Sequence, residues 1–416
     1  MGIYVNPSNA NFKEILSRKI YVDKTMMLSV LNEFMQTGEK YICISRPRRF
    51  GKTIAGNMIC AYYSRGCDSK ELFAPLKIAK TEDFSENLNK FNVIKLDINS
   101  EYRNVIDKNN LILKLTKNIR EEMSELYSEI SFDESDSIAD CIMKVFTKTS
   151  VQFVIILDEY DVLVRENVSE SLFAQYLDLL NGLFKSDTLR PAIALAYLTG
   201  ILPIVRDMRP KQVRMVAQSK LNNFEEYTML DAGEFSEFVG FTVDEVRSLC
   251  DKYGVNFEEC KRWYDGYNQH GFEIYNPESI VKSIQKNDFS NYWSKTSSYE
   301  VISDRIRQNF EGTREDVVQM LSGESVDVNV TRYLNTMTSF GTRGDLFTYL
   351  IHLGYLAYDR SEKNAIFQTK KYGRNGLTRL KPSLNTLLRT KSFNRQKRSF
   401  LKPCRKTKRR LPLLWT

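Results

Sequence analysis

The chain of 416 residues holds only two histidines, His270 and His352, and seven scattered cysteines with no C-x-x-C spacing. So few histidines argue against a zinc centre or a Ser-His-Asp triad. His352, inside an apolar stretch, reads as a packed core residue. The cysteines (Cys43, Cys60, Cys67, Cys141, Cys250, Cys260 and Cys404) are odd in number, which speaks against a disulfide framework and for reduced thiols in a cytosol. No apolar run reaches 18 residues, so no membrane-spanning helix is expected. The opening MGIYVNPSNANF lacks the basic start and apolar core of a signal peptide, and a cytoplasmic location is the expectation. Acidic residues are missing from Asn364 onward, where 16 Lys and Arg stand. The rest of the chain then carries 44 basic and 52 acidic residues, so the whole-chain charge of +8 hides a body at −8 and a basic tail. A high overall charge is therefore no sign that the folded part binds nucleic acid.

What is present centres on Tyr41 to Thr53, YICISRPRRFGKT. Tyr41 to Ile44 is long enough for a buried strand, a polar turn ends in Gly51-Lys52-Thr53, and Ile54 to Ser64 reads as a helix. Strand, tight loop and helix form the layout of a P-loop. Its backbone N–H groups wrap phosphates, its Lys reaches the β and γ oxygens, and its Thr hydroxyl binds Mg²⁺. The full pattern G-x-x-x-x-G-K-[ST] asks for Gly at position 46, where Arg46 stands. A second motif, FVIILDEYD (Phe153 to Asp161), places Asp158 and Glu159 at the tip of an apolar strand. There an Asp holds Mg²⁺ and a Glu polarises the attacking water in P-loop ATPases. A solvated acidic turn is the plainer reading of that motif taken alone.

RPRRFGKT, with YVDK (Tyr21 to Lys24) before it and IILDEYD after it, resembles the bacterial family of predicted AAA-ATPase-like proteins. The likeness runs on through YLTGILPI (Tyr197 to Ile204), SKLNNFEEYTMLD (Ser219 to Asp231), FVGFTVDEV (Phe238 to Val246), WYDGY (Trp263 to Tyr267), YNPESI (Tyr275 to Ile280) and FTYLIHLGYLAYD (Phe347 to Asp359). The resemblance implies that the arginine-bearing loop is the family's ordinary form, that the base is adenine, and that a PD-(D/E)xK nuclease-like domain usually follows. Nothing after Asn364 has that domain's Glu-x-Lys strand. The tail 364–416 is expected to be disordered or a product of a frameshift, and a basic tail suits nonspecific phosphate contacts.

The alternation of helices and strands over 41–230 gives an α/β fold, a P-loop NTPase with a central parallel sheet. A mainly helical region, 231–363, should follow it as a lid. Strands are expected at Phe91 to Asn99, Phe153 to Leu157 and Pro191 to Ile201, and a helix at Ser171 to Lys185. In such sheets ligands bind at the carboxyl ends of the strands. The expected site has Lys52 neutralising phosphate, Thr53 and Asp158 holding Mg²⁺, Glu159 orienting water and Thr199 sensing the γ-phosphate. Arg48, Arg49, Phe50 and Gly51 complete the loop around ATP, with Arg46 as further positive charge. Tyr21 and Asp23 are candidates for the adenine side, against simple packing and capping. Asp97 reads as a turn former, and Arg206, Arg209 or Arg214 is a candidate finger against the plainer solvated loop. Two functions compete: an Mg²⁺-dependent ATPase that moves its lid, or a nucleotide-binding regulatory module with little turnover, tied to nucleic acid or a nuclease-like partner. A remnant lacking its nuclease-like domain is the limiting case of the second.

Overall fold

The computed structural model describes residues 2–166, 168–203, 221, 223–264, 267–269, 271–290, 292, 312–330, 342–360 and 362–367. Five strands make the central sheet: β1 (Tyr41–Ser45), β2 (Asn92–Asp97), β3 (Phe153–Asp158), β4 (Ile193–Gly200) and β5 (Glu225–Tyr227). Their order is β2-β3-β4-β1-β5 and every pairing is parallel. A parallel sheet is covered on both faces, so its strands are apolar along their length rather than alternating with polar residues. Ile42 and Ile44 enter the core on one face and Tyr41 and Cys43 the core on the other. In β3, Val154 and Ile156 share the first core, while Phe153, Ile155 and Leu157 share the second. Four of these strands match the apolar runs of the sequence. The fifth, Glu-Glu-Tyr, has no apolar run to announce it.

Helix α1 (Lys52–Tyr63) leaves the tip of β1 and packs on the sheet. Helix α2 (Leu111–Leu126) buries Leu111, Leu115, Ile119 and Met123, every fourth residue, which puts one stripe against the sheet. Helix α3 (Ile138–Thr149) opens on a capping box between Ser137 and Asp140. Helix α4 (Glu170–Phe184) starts at Ser169, whose hydroxyl accepts from the amide of Leu172.

After 231 come the expected helices, α5 (Val243–Tyr253), α6 (Phe257–Tyr264), α7 (Pro277–Lys286), α8 (Thr313–Leu321) and α9 (Arg343–His352). Two antiparallel sheets lie among them that the sequence reading passed over. One is β6 (Phe241–Thr242), β7 (Tyr267–Gln269) and β8 (Phe272–Tyr275), in the order β6-β8-β7. The other is β9 (Val326–Asp327), β10 (Leu356–Asp359) and β11 (Asn364–Phe367), in the order β10-β11-β9. The stretch LAYD, read as the end of a helix, is therefore a strand. These runs are two to four residues long, too short for a period to show.

Two parts of this region pack differently. Helices α5 to α7 surround a cluster of their own, with Val246, Cys250, Tyr264 and Ile280, which Ile20 joins from the N-terminal side. Leu346, Phe347, Leu350 and Ile351 of α9 instead belong to the same core as Ile42, Ile44 and Met58. His352 is buried as expected, and that burial, with Arg46 nearby, pushes its pKa down to about 3.

Leu115→Ala should cost about 2–5 kcal/mol of stability. Leu113→Ala, on the 69 % exposed side of the same helix, should stay within about 0.5 kcal/mol; urea denaturation followed by circular dichroism compares the two. His352 gives a pH prediction. Between its ordinary value of 6.5 and about 3, the unfolded chain binds a proton at this position that the folded chain refuses. The stability it contributes is complete above pH 6.5 and falls by up to about 1.4 kcal/mol per pH unit below it. In His352→Gln this part of the acid limb should be missing when denaturation midpoints are compared from pH 7 to pH 4.

Candidate functional site

Between β1 and α1 the chain turns twice through the left-handed region, with φ of 70° at Arg49 and 94° at Gly51. Gly51 adopts it freely and caps α1. Arg49 has a Cβ and needs outside support to stay there. Its Nη1 donates to Glu278 Oε1 at 3.3 Å and to the Tyr292 carbonyl at 3.1 Å. The rest of the loop is held in the same way. The Arg48 carbonyl accepts from Asn276 Nδ2 at 3.3 Å, and Phe50 meets the ring of Tyr267 edge-on at 5.5 Å. Pro47 packs so closely on Gly354 that a Cβ there would stand 2.8 Å from the proline ring. Arg46, fully buried, donates from Nη1 to the carbonyls of Ser45 (2.9 Å) and Tyr227 (3.2 Å). Its Nε and Nη2 have no hydrogen-bond partner among the described residues, and burial lowers its pKa to about 10. The guanidinium is turned into the fold rather than into the cavity described below.

The first intrahelical bond of α1 runs from Ala55 N to Gly51 O, so the preceding amides are free for an anion, with the helix dipole behind them. Lys52 is buried and donates from Nζ to the carbonyls of Arg46 (2.9 Å) and Pro47 (3.0 Å). Burial lowers its pKa to about 8 against the pull of Asp158 and Glu159. Asp158, at the end of β3, is buried too. Burial raises its pKa, while a hydrogen bond from Thr53 and the charge of Lys52 work the other way. Thr199 lies opposite Asp158 in the β3–β4 register, and its hydroxyl is buried without a hydrogen-bond partner among the described residues.

A cavity of about 880 Å³ opens in front of this loop. Arg48, Arg49, Phe50, Gly51, Lys52, Thr53 and Glu159 all line it, whereas Asp158 and Thr199 lie behind its wall. Its lining also includes the apolar side chains of Ile20, Val22, Phe238 and Val281 and the ring of Tyr21. Tyr21 thus reaches the cavity and Asp23 does not. The Asp23 carboxylate accepts from the amides of Thr25 (2.9 Å) and Lys77 (2.8 Å), the capping role that was the plainer reading. Asp97 likewise caps the short helix Ile98–Asn104 through the amide of Ser100. Arg206, Arg209 and Arg214, Asp265 and Gly266 of WYDGY, and the tail from 368 lie outside the described residues.

Four contributors escaped the sequence reading: Lys24, Arg103, Arg165 and Lys282. With them the cavity wall carries nine basic side chains and three acidic ones, a field that draws in anions. They come from four separate stretches; only Lys24 stands in a segment quoted above, YVDK, where it had no assigned role. Among the described residues no group of three or more His, Cys, Asp or Glu gathers that could cage a metal, and no helix is long and apolar enough to cross a membrane.

An uncharacterized protein from the vnfD 5' region of Azotobacter chroococcum mcd 1 is 24 % identical over 307 residues, which cover 72 % of this chain. The chain spans about half of that relative, 55 % of its length. Among solved structures, the Aeropyrum pernix ORC2 protein in its ADPNP-ADP complexes aligns at a TM-score of 0.36 and 10 % identity, over 90 % of this chain and 98 % of that one. PCH-2 of C. elegans aligns at a TM-score of 0.28 and 11 % identity, over 83 % and 72 %. Residues 8–208, which hold both motifs, match the AAA-ATPase-like family model, Predicted AAA-ATPase.

Proposed function

We propose that the chain binds ATP with Mg²⁺ in this cavity, hydrolyses it, and passes the nucleotide state to α5–α7. The observation that carries the reading is the meeting of Lys52, Thr53 and Glu159, from two strand tips, on the wall of one cation-rich cavity. The triphosphate lies along the free amides of α1. Lys52 exchanges the carbonyls of Arg46 and Pro47 for phosphate oxygens, and a phosphate nearby restores its proton affinity. Thr53 and Asp158 supply one hydroxyl and one carboxylate oxygen, close enough for Thr53 to influence the Asp158 proton. That donor set fits Mg²⁺, which takes one or two protein oxygens beside phosphates and water rather than an all-protein cage. When bound, the ion would withdraw charge from the phosphate oxygens. Glu159 orients the attacking water. Thr199, beside Asp158, reaches a phosphate only after the strand tips shift.

The apolar lining of Phe238 and Val281 with the ring of Tyr21 suits a planar base. The preference for adenine comes from the family. Coupling to α7 runs through Arg49, which Glu278 now holds and for which a phosphate competes. A nucleotide-binding module with little turnover is the second reading. It is favoured by the ion pair that ties Glu159 to Arg165 at 3.0 Å. Nucleic acid or a nuclease-like partner rests on the resemblance and the basic tail alone.

Lys52→Ala should weaken ATP binding at least about tenfold. Glu159→Gln should keep ATP binding and lower turnover about a hundredfold or more. Calorimetry and phosphate release with Mg²⁺ measure the two. Turnover untouched by both substitutions rejects the ATPase reading, and ATP binding without turnover in the unaltered chain leaves the module.

A further inference from the structure

Arg165 closes the single turn Val162–Arg165 that follows β3. Its Nε donates to Asp161 Oδ2 at 2.9 Å and its Nη2 to Glu159 Oε2 at 3.0 Å. Asp161 is itself fixed. The same Oδ2 accepts from the amides of Ile201 (3.1 Å) and Leu202 (2.9 Å), just past the tip of β4. A Cβ on Gly200 would come within 2.7 Å of its other oxygen. The guanidinium is thus locked at one nitrogen to a buried carboxylate that bridges two strand tips, and held at a second to the carboxylate assigned to the attacking water. Its third nitrogen, Nη1, has no hydrogen bond among the described residues, and Arg165 lines the cavity. A guanidinium is a rigid planar fork with five N–H groups, so its free edge has a fixed direction once Nε and Nη2 are bound.

We infer that Arg165 is a positioning residue of the same site, which sets the place of Glu159 and offers its free Nη1 edge to the terminal phosphate of a bound nucleoside triphosphate. The inference rests on the ATPase reading above. An arginine that only braced the turn would have no need to lie on the cavity wall. Glu159 belongs beside the terminal phosphate, so a nitrogen on the same guanidinium meets that phosphate and not the two that a diphosphate keeps. Arg165 therefore distinguishes tri- from diphosphate, and contact with the terminal phosphate draws the fork partly away from Glu159, which frees that carboxylate for water.

The test compares binding of a non-hydrolysable ATP analogue and of ADP, each with Mg²⁺, to the full chain, R165M and R165K. For R165M the dissociation constant of the analogue should rise about tenfold, the worth of one charge-assisted contact, while that of ADP stays within about twofold. R165K keeps the charge without the fork and should lose about threefold on the analogue alone; it carries the test if R165M does not fold. Equal losses on both nucleotides, or no loss in either variant, would overturn the inference while leaving the ATPase reading in place. If the unaltered chain binds neither nucleotide, the ATPase reading fails and this inference with it.

Discussion

A phosphate cradle must present bare backbone amides, and a loop that does so cannot also hold itself together. Glycine-rich loops meet this constraint by needing little space. Here the loop carries Arg46, Pro47, Arg48, Arg49 and Phe50, and each is gripped from the C-terminal half of the chain. The side chains of Arg46, Pro47, Arg49 and Phe50, which a glycine would lack, are used as handles, and Arg48 is held by its carbonyl. Once they are held, Arg49 can stay at a positive φ that its own side chain disfavours, and Gly51 can deliver the first turn of α1 to the cavity.

The electrostatics follow from the same arrangement. Lys52 is drawn back onto two loop carbonyls, and burial leaves its proton weakly held. Asp158 is buried with Thr53 as its immediate donor. Arg46 puts a buried cation behind the cradle, with the carbonyl oxygens of Ser45 and Tyr227 as its acceptors among the described residues. Glu159 and Glu278 are each occupied by an arginine, and the remaining basic side chains leave the cavity wall with an excess of positive charge.

The frame of the fold was legible in the sequence because buried parallel strands are written as continuous apolar runs, and β1 to β4 all are. Lys52, Thr53 and Glu159 were legible because short motifs sit on strand tips. Their convergence on one cavity follows from the topology. What stayed hidden has a common cause. β5 is held at the sheet edge by backbone pairing with β1 and by the packing of one side chain, Tyr227, rather than by an apolar run. Arg165 owes its place to a single turn and two carboxylates, and Tyr267 to packing against a loop more than 200 residues earlier. None of these leaves a local period. Asp23 shows the opposite case: a polar residue near a motif that turned out to serve the backbone.

The match to the family model stops at residue 208, but packing does not. Leu346, Phe347, Leu350 and Ile351 fill the same core as β1, and Gly354 is seated on Pro47. A boundary drawn where likeness fades is therefore not one at which the molecule can be cut. A shortened chain ending there would keep every signature residue yet bare the apolar back of its own phosphate loop, and the bared surface would seek another copy of itself.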